Sequence, residues 1–145
     1  MWIRYTLAGL WMLAIFLFSH QPSGASDKQS GFFVGLLEPI APITDTDILT
    51  FITRKSAHFI LYFILGILVF HAVSASVPSR KKAALISAGI VLGYATLDEI
   101  HQLFVPGRSG EVRDVLLDTS AGILGIAAFV ALKSLFTSSK KSRHS

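Results

Sequence analysis

Apolar residues dominate four stretches of this chain, and polar residues gather near their ends. Trp2 to Phe18 is apolar apart from Arg4 and Thr6. At 1.5 Å per residue such a helix reaches roughly 26 Å, enough for a thin or slightly strained membrane crossing. A second apolar run extends from Ser56 to Val73, with Thr46 or Asp47 placed to cap its helix and Pro78 to break it. A third runs from Ala83 to Phe104, apolar over its first two-thirds and polar in its last turns. The tight turn Pro106-Gly107-Arg108-Ser109-Gly110 separates it from a fourth run, which starts at Val112 or Val115 and ends at Phe136. The pattern predicts an all-α integral membrane bundle of four transmembrane helices, at about 2–18, 48–73, 83–104 and 113–136. Residues 1–136 form a single domain, and residues 137–145, rich in Ser, Lys and Arg, are expected to be a disordered basic tail.

The longest connection runs from Ser19 to Thr53. Within it Gly31 to Ile43 is apolar again, with Phe32, Phe33, Leu36, Leu37 and Ile40 at helical spacing. It is too short to span and carries Pro39 and Pro42, so it reads as an interfacial or re-entrant segment, or as a loop packed over the bundle. Ser23-Gly24-Ala25 also has the small residues of a signal-peptide cleavage site, which makes cleavage the alternative to a first membrane span.

Composition agrees with the pattern. Of 145 residues, 52% are hydrophobic and 15% charged, and the mean hydropathy is +0.59; soluble domains carry about 25% charged residues. There is no cysteine, which excludes disulfides and thiolate metal sites. The net charge is +4, but the basic residues sit beside apolar runs and not on a soluble face, which argues against nucleic acid as a partner. Their placement sets an orientation. Arg4, Arg80, Lys81, Lys82, Lys133, Lys140, Lys141 and Arg143 fall on one side of a four-helix chain, against Lys28, Arg54, Lys55, Arg108 and Arg113 on the other. The positive-inside rule then predicts a multi-pass protein of the cell membrane with both termini cytoplasmic.

With that topology the ionisable residues of three segments arrive at one depth, near the outer face. Lys55 and His58 begin helix 2; Asp98, Glu99, His101 and Gln102 end helix 3; Arg108 lies in the outer turn; Asp114 and Asp118 begin helix 4. Charged groups in apolar helices are costly and mark sites. Lys55, His58 and Tyr62 share a helix face that continues to Gly66, and Asp114 and Asp118 share one that continues through Gly122 and Gly125. Small residues let helices approach closely. Gly89 and Gly93 form a further small-residue pair on helix 3, which is expected to be central with contacts on both sides. Glu99 and His101, two apart, are some 200° apart around a helix and cannot reach one point.

Lys55-Ser-Ala-His58, Asp98-Glu99-Ile-His-Gln102-Leu-Phe-Val-Pro-Gly-Arg108 and Asp114-Val-Leu-Leu-Asp118-Thr-Ser-Ala-Gly122 resemble the VanZ-like membrane proteins, as does the helix ending Phe18-Ser19-His20-Gln21. The resemblance covers most of the chain, and its specific part is the E-x-x-Q followed by P-G-R. It implies a small bacterial membrane protein of a family named for a member linked to glycopeptide (teicoplanin) resistance, and it supplies no biochemical activity. Asp118 stands where the family pattern leads us to expect Asn in many relatives.

Three functions remain open to these residues. In the favoured one, Lys55, His58, Glu99, Gln102, Arg108, Asp114 and Asp118 bind an anionic envelope lipid or lipid-linked cell-wall precursor. The Gly-flanked turn at Arg108 leads into a helix N-terminus, which suits an anion. In the second, the protein is an enzyme acting on a lipid phosphate, with His58, Glu99 and Asp98 as candidate acid–base groups. In the third, pairs such as Lys55 with Asp114, or Arg108 with Glu99, only hold helices in register. His58, Asp98, His101 and Asp114 or Asp118 are chemically competent metal donors. No compact motif such as HExxH and no GxSxG elbow occurs, however, and the sequence leads us to expect neither metal nor cofactor.

Overall fold

A computed structural model describes residues 2–22 and 45–142, with Gly24, Gly31 and Gly35 as isolated positions. The expected interfacial segment at Gly31 to Ile43 and the cleavage signal at Ser23-Gly24-Ala25 otherwise lie outside the described residues. Among those described there are four helices and no strand: α1 (Trp2–Ser19), α2 (Thr46–Val73), α3 (Arg80–Gln102) and α4 (Val112–Ser142). Each is long and apolar enough to cross a membrane.

The boundaries follow local chemistry. Thr46 and Asp47, the expected caps, fall inside α2, and the Asp45 carboxylate just before it accepts from the Ile48 N–H at 3.3 Å. α3 starts three residues earlier than expected, because Ser79 caps it and accepts from the Lys82 N–H, so the basic triplet Arg80-Lys81-Lys82 forms its first turn. α4 runs on to Ser142, into the stretch assigned above to the tail.

The helices run up and down in sequence. Tyr5 of α1 meets Ser76 just beyond α2, whereas Ser19 at the other end of α1 meets Gln102 at the end of α3. The ends of α1 and α3 and the starts of α2 and α4 therefore share one end of the bundle. α2 and α3 each touch all three other helices, as the central place expected for helix 3 requires, and α2 packs the more extensively, above all against α4. α1 is tied to it by the indole N–H of Trp11, which donates to the Leu61 carbonyl at 2.9 Å.

The tightest seam joins α2 to α4. A Cβ placed on Gly66 would lie 2.7 Å from the carbonyl carbon of Gly122, and one on Gly125 would lie 3.0 Å from that of Phe63. Gly122 in turn is covered by Val91 of α3. By contrast Gly89 and Gly93, the other small-residue pair, have nothing within 4 Å of a Cβ. The interior mixes Tyr62, Leu65, Val91 and Ala121 with buried Ser19, Ser87, Asp98, Glu99, Gln102 and Asp118. Leu85, Leu97, Leu103, Phe104 and Leu116 point outward. Polar groups inside and large apolar ones outside is the arrangement a lipid solvent favours.

Candidate functional site

The site is built at the shared helix ends. α2 and α4 are parallel neighbours there, so residues a turn apart on each form successive rungs. Lys55 Nζ donates to Asp114 Oδ1 in a short ion pair, and one turn deeper His58 Nδ1 lies 3.5 Å from Asp118 Oδ2. The next residue on the α2 face, Tyr62, is fully buried and donates its hydroxyl to Asp98 Oδ2 of α3 at 3.2 Å. His58, Asp98 and Asp118 thus come from three helices to one point, each offering a donor atom within 4.8 Å of the others. Asp98 Oδ1, Asp118 Oδ1 and Thr119 Oγ1 are buried with no hydrogen-bond partner among the described residues. Orphaned carboxylate oxygens in a buried place are expensive and call for an explanation.

Glu99 and Gln102 face a different neighbour. The Gln102 amide donates to Ser19 Oγ at 3.0 Å and to Glu99 Oε1 at 3.4 Å, while Glu99 Oε2 accepts the Glu111 backbone N–H at 2.8 Å. The connection before α4 is pressed against α3 for this bond to form. A Cβ on Gly110 would lie 2.6 Å from the Glu99 carbonyl oxygen. Val105 to Arg108 closes as a turn, with the Arg108 N–H donating to the Val105 carbonyl at 3.1 Å and Gly107 at φ 74°, a conformation glycine adopts without strain. The turn delivers Arg108 to the site, where its Nε donates to the Gln21 carbonyl at 3.2 Å.

Of the residues singled out above, Lys55 pairs with Asp114 as expected, and His58 meets Asp118 and Asp98. Of the two carboxylates expected as acid–base partners of His58, Asp98 brings an oxygen within 4.8 Å of an imidazole nitrogen, whereas Glu99 makes no hydrogen bond to His58 among the bonds the structure gives. His101 points away, toward α1: its Nε2 lies 3.1 Å from His20 Nδ1, and its ring lies 4.5 Å from that of Phe16. Sequence reasoning missed Ser19 and Gln21 as site residues, although both lie in or beside the motif at the end of helix 1. It also missed Arg54.

Two hollows meet here. A polar cavity of about 220 Å³ is lined by Arg54, Lys55, His58, Arg108, Asp114 and Asp118, with Phe51 and Leu117 among its walls. A shallower apolar groove of about 450 Å³, lined by Phe51, Ile52, Ser56, Phe59, Ile60 and Leu117, shares Lys55 with it as well as Phe51 and Leu117. Lys55 Nζ sits 5.3 Å from the centre of the Phe51 ring at that junction.

The fold and site define a small polytopic membrane protein with a polar cavity at one end of its helical bundle. The profile of the VanZ/LLP1 family matches residues 5–134, nearly the whole chain, and the protein belongs to that family. Comparison with curated proteins and with solved structures finds no match.

Proposed function

We propose that the cavity holds the anionic head group of an envelope lipid or lipid-linked wall precursor, with the lipid chain lying in the groove. The observation that carries this reading is the continuity of the two hollows. Basic residues from two segments, Arg54 and Lys55 of α2 and Arg108 of the turn, line the polar part, and an apolar groove along α2 begins where it ends. A phosphate suits guanidinium donors in forked geometry and an ammonium as a point charge. The acyl or isoprenyl chain of the same molecule would cover Ile52, Phe59 and Ile60. Only an amphiphile uses both surfaces, which is why this reading is preferred to a free anion. The positive-inside count supports an outer-leaflet cavity in the cell membrane, with both termini cytoplasmic. Altered susceptibility to teicoplanin is the cell-level consequence we infer from the family resemblance and from a ligand of the wall-precursor class.

Native mass spectrometry of the detergent-purified protein tests this. Phosphatidylglycerol, phosphatidylcholine and undecaprenyl phosphate are offered at equal concentrations. Anionic lipids should be retained at least about tenfold better than phosphatidylcholine, and Arg108→Ala should lose most of that preference. Equal retention of all three would overturn the reading.

A further inference from the structure

We infer that His58, Asp98 and Asp118 form a binding site for a divalent transition-metal ion. The sequence offered these residues as competent metal donors, but no metal was expected because no two of them belong to one compact motif. The fold places them together from three helices, with one donor atom of each within 4.8 Å of the others. Ligands at about 2.0–2.2 Å from an ion lie roughly 3 to 3.5 Å apart, so side-chain rotations of about an ångström close the set.

Three observations point to a ligand here and not merely to a polar knot. Asp98 and Asp118 are 4% and 0% exposed, yet each keeps one carboxylate oxygen without a hydrogen-bond partner among the described residues. A buried carboxylate is normally paired or bound to a metal. The other oxygen of Asp98 is held by the Tyr62 hydroxyl, a partner of the kind that orients a metal ligand, and the other oxygen of Asp118 lies 3.5 Å from His58 Nδ1, about the separation of two ligands on one ion. The nearest ammonium, Lys55, is engaged by Asp114 a turn away. Two carboxylates facing each other at this depth repel, and a divalent ion removes that repulsion while using the imidazole as a third ligand.

The donor set selects the ion. Two carboxylates and one imidazole, with no thiolate or thioether, suit Zn²⁺, Mn²⁺ or Fe²⁺ and do not suit Cu⁺. Three protein ligands leave at least one coordination position open. His58 and Asp118 both line the polar cavity, so that position faces the cavity and is available to water or to an oxyanion. The inference does not rest on lipid binding: an ion would bind here whether or not a lipid does.

The test uses the full chain, purified in detergent, stripped with EDTA and titrated with Zn²⁺ and with Mn²⁺. One equivalent should bind per chain. Asp118→Asn and Asp98→Asn, checked for helical content and monodispersity, should each weaken binding at least about tenfold. His101→Ala, which removes the exposed His20–His101 pair, should leave affinity within about twofold. X-ray absorption of the Zn²⁺-loaded wild type keeps the inference testable if the Asn variants do not fold: it should show one imidazole and otherwise oxygen ligands. Absence of binding by the folded wild type up to millimolar Zn²⁺ and Mn²⁺ would overturn the inference. So would binding that Asp118→Asn retains and His101→Ala loses, or a spectrum with two imidazoles. Lipid retention is read separately, so the failure of one proposal is not mistaken for failure of the other.

Discussion

Replacing Gly66 by alanine should separate the two helices that carry Lys55, His58, Asp114 and Asp118. The added Cβ would lie 2.7 Å from the Gly122 carbonyl carbon and 2.8 Å from its Cα. Carbon atoms pack at about 3.5–4.0 Å, so relief requires α2 and α4 to part by roughly an ångström. Backbone is on both sides of the clash, and no side chain can rotate away. Overpacking of this kind costs about 1–3 kcal/mol, set against a helix-propensity gain of at most about 1 kcal/mol for Gly→Ala. Gly89→Ala provides the internal comparison. It adds the same methyl to a helix where nothing lies within 4 Å, so it keeps the propensity gain and meets no clash. The propensity gain cancels between the variants, so the gap should be the overpacking cost, about 1–3 kcal/mol, or roughly 5- to 150-fold in the unfolding equilibrium. Reversible unfolding in mixed micelles by titrated SDS, followed by circular dichroism, measures it. Equal stability of the two variants would refute the close α2–α4 seam, and with it the rungs built on that seam.

Other outcomes follow from the same geometry. Gly110→Ala should push the connection away from α3, break the Glu111 N–H bond to Glu99 and cost about 1–3 kcal/mol in the same assay. Tyr62→Phe deprives buried Asp98 of its hydroxyl partner and should cost about 1–3 kcal/mol, whereas Thr96→Val on the outer face of α3 should change stability by less than about 0.5 kcal/mol. A double-mutant cycle of Lys55→Ala and Asp114→Ala should show a coupling of about 0.5–3 kcal/mol; side chains 30% and 20% exposed are only partly screened by solvent.

Much of the site could be read from helical spacing. Lys55, His58 and Tyr62 step by three and four, Asp114 and Asp118 by four, and two parallel helices with those faces opposed give the observed rungs. The four spans were equally plain, because apolar runs of that length have few other uses. Partners between segments were not legible. Gly89 and Gly93, four apart on α3, look as suited to a close helix contact as Gly66, Gly122 and Gly125, yet of these five only the last three touch a neighbour. Smallness permits approach without naming what approaches. The same holds for His58, beside which Asp118 and Asp98 lie and not Glu99: all three carboxylates were within plausible reach until the rotations of α3 and α4 about their axes were known. The contribution of Ser19 and Gln21 depended on α1 lying beside α3, which no spacing in the sequence encodes.

The convergence of α2 and α4 at the cavity is open to a direct measurement, because the natural chain has no cysteine. The pair His58→Cys with Asp118→Cys can be treated with dibromobimane, which fluoresces strongly only when it bridges two neighbouring thiols. The account predicts bright, bridged protein for this pair and none for His101→Cys with Asp118→Cys, since His101 faces α1. A folded His58/Asp118 double variant that fails to bridge, or a His101/Asp118 pair that bridges equally well, would contradict it.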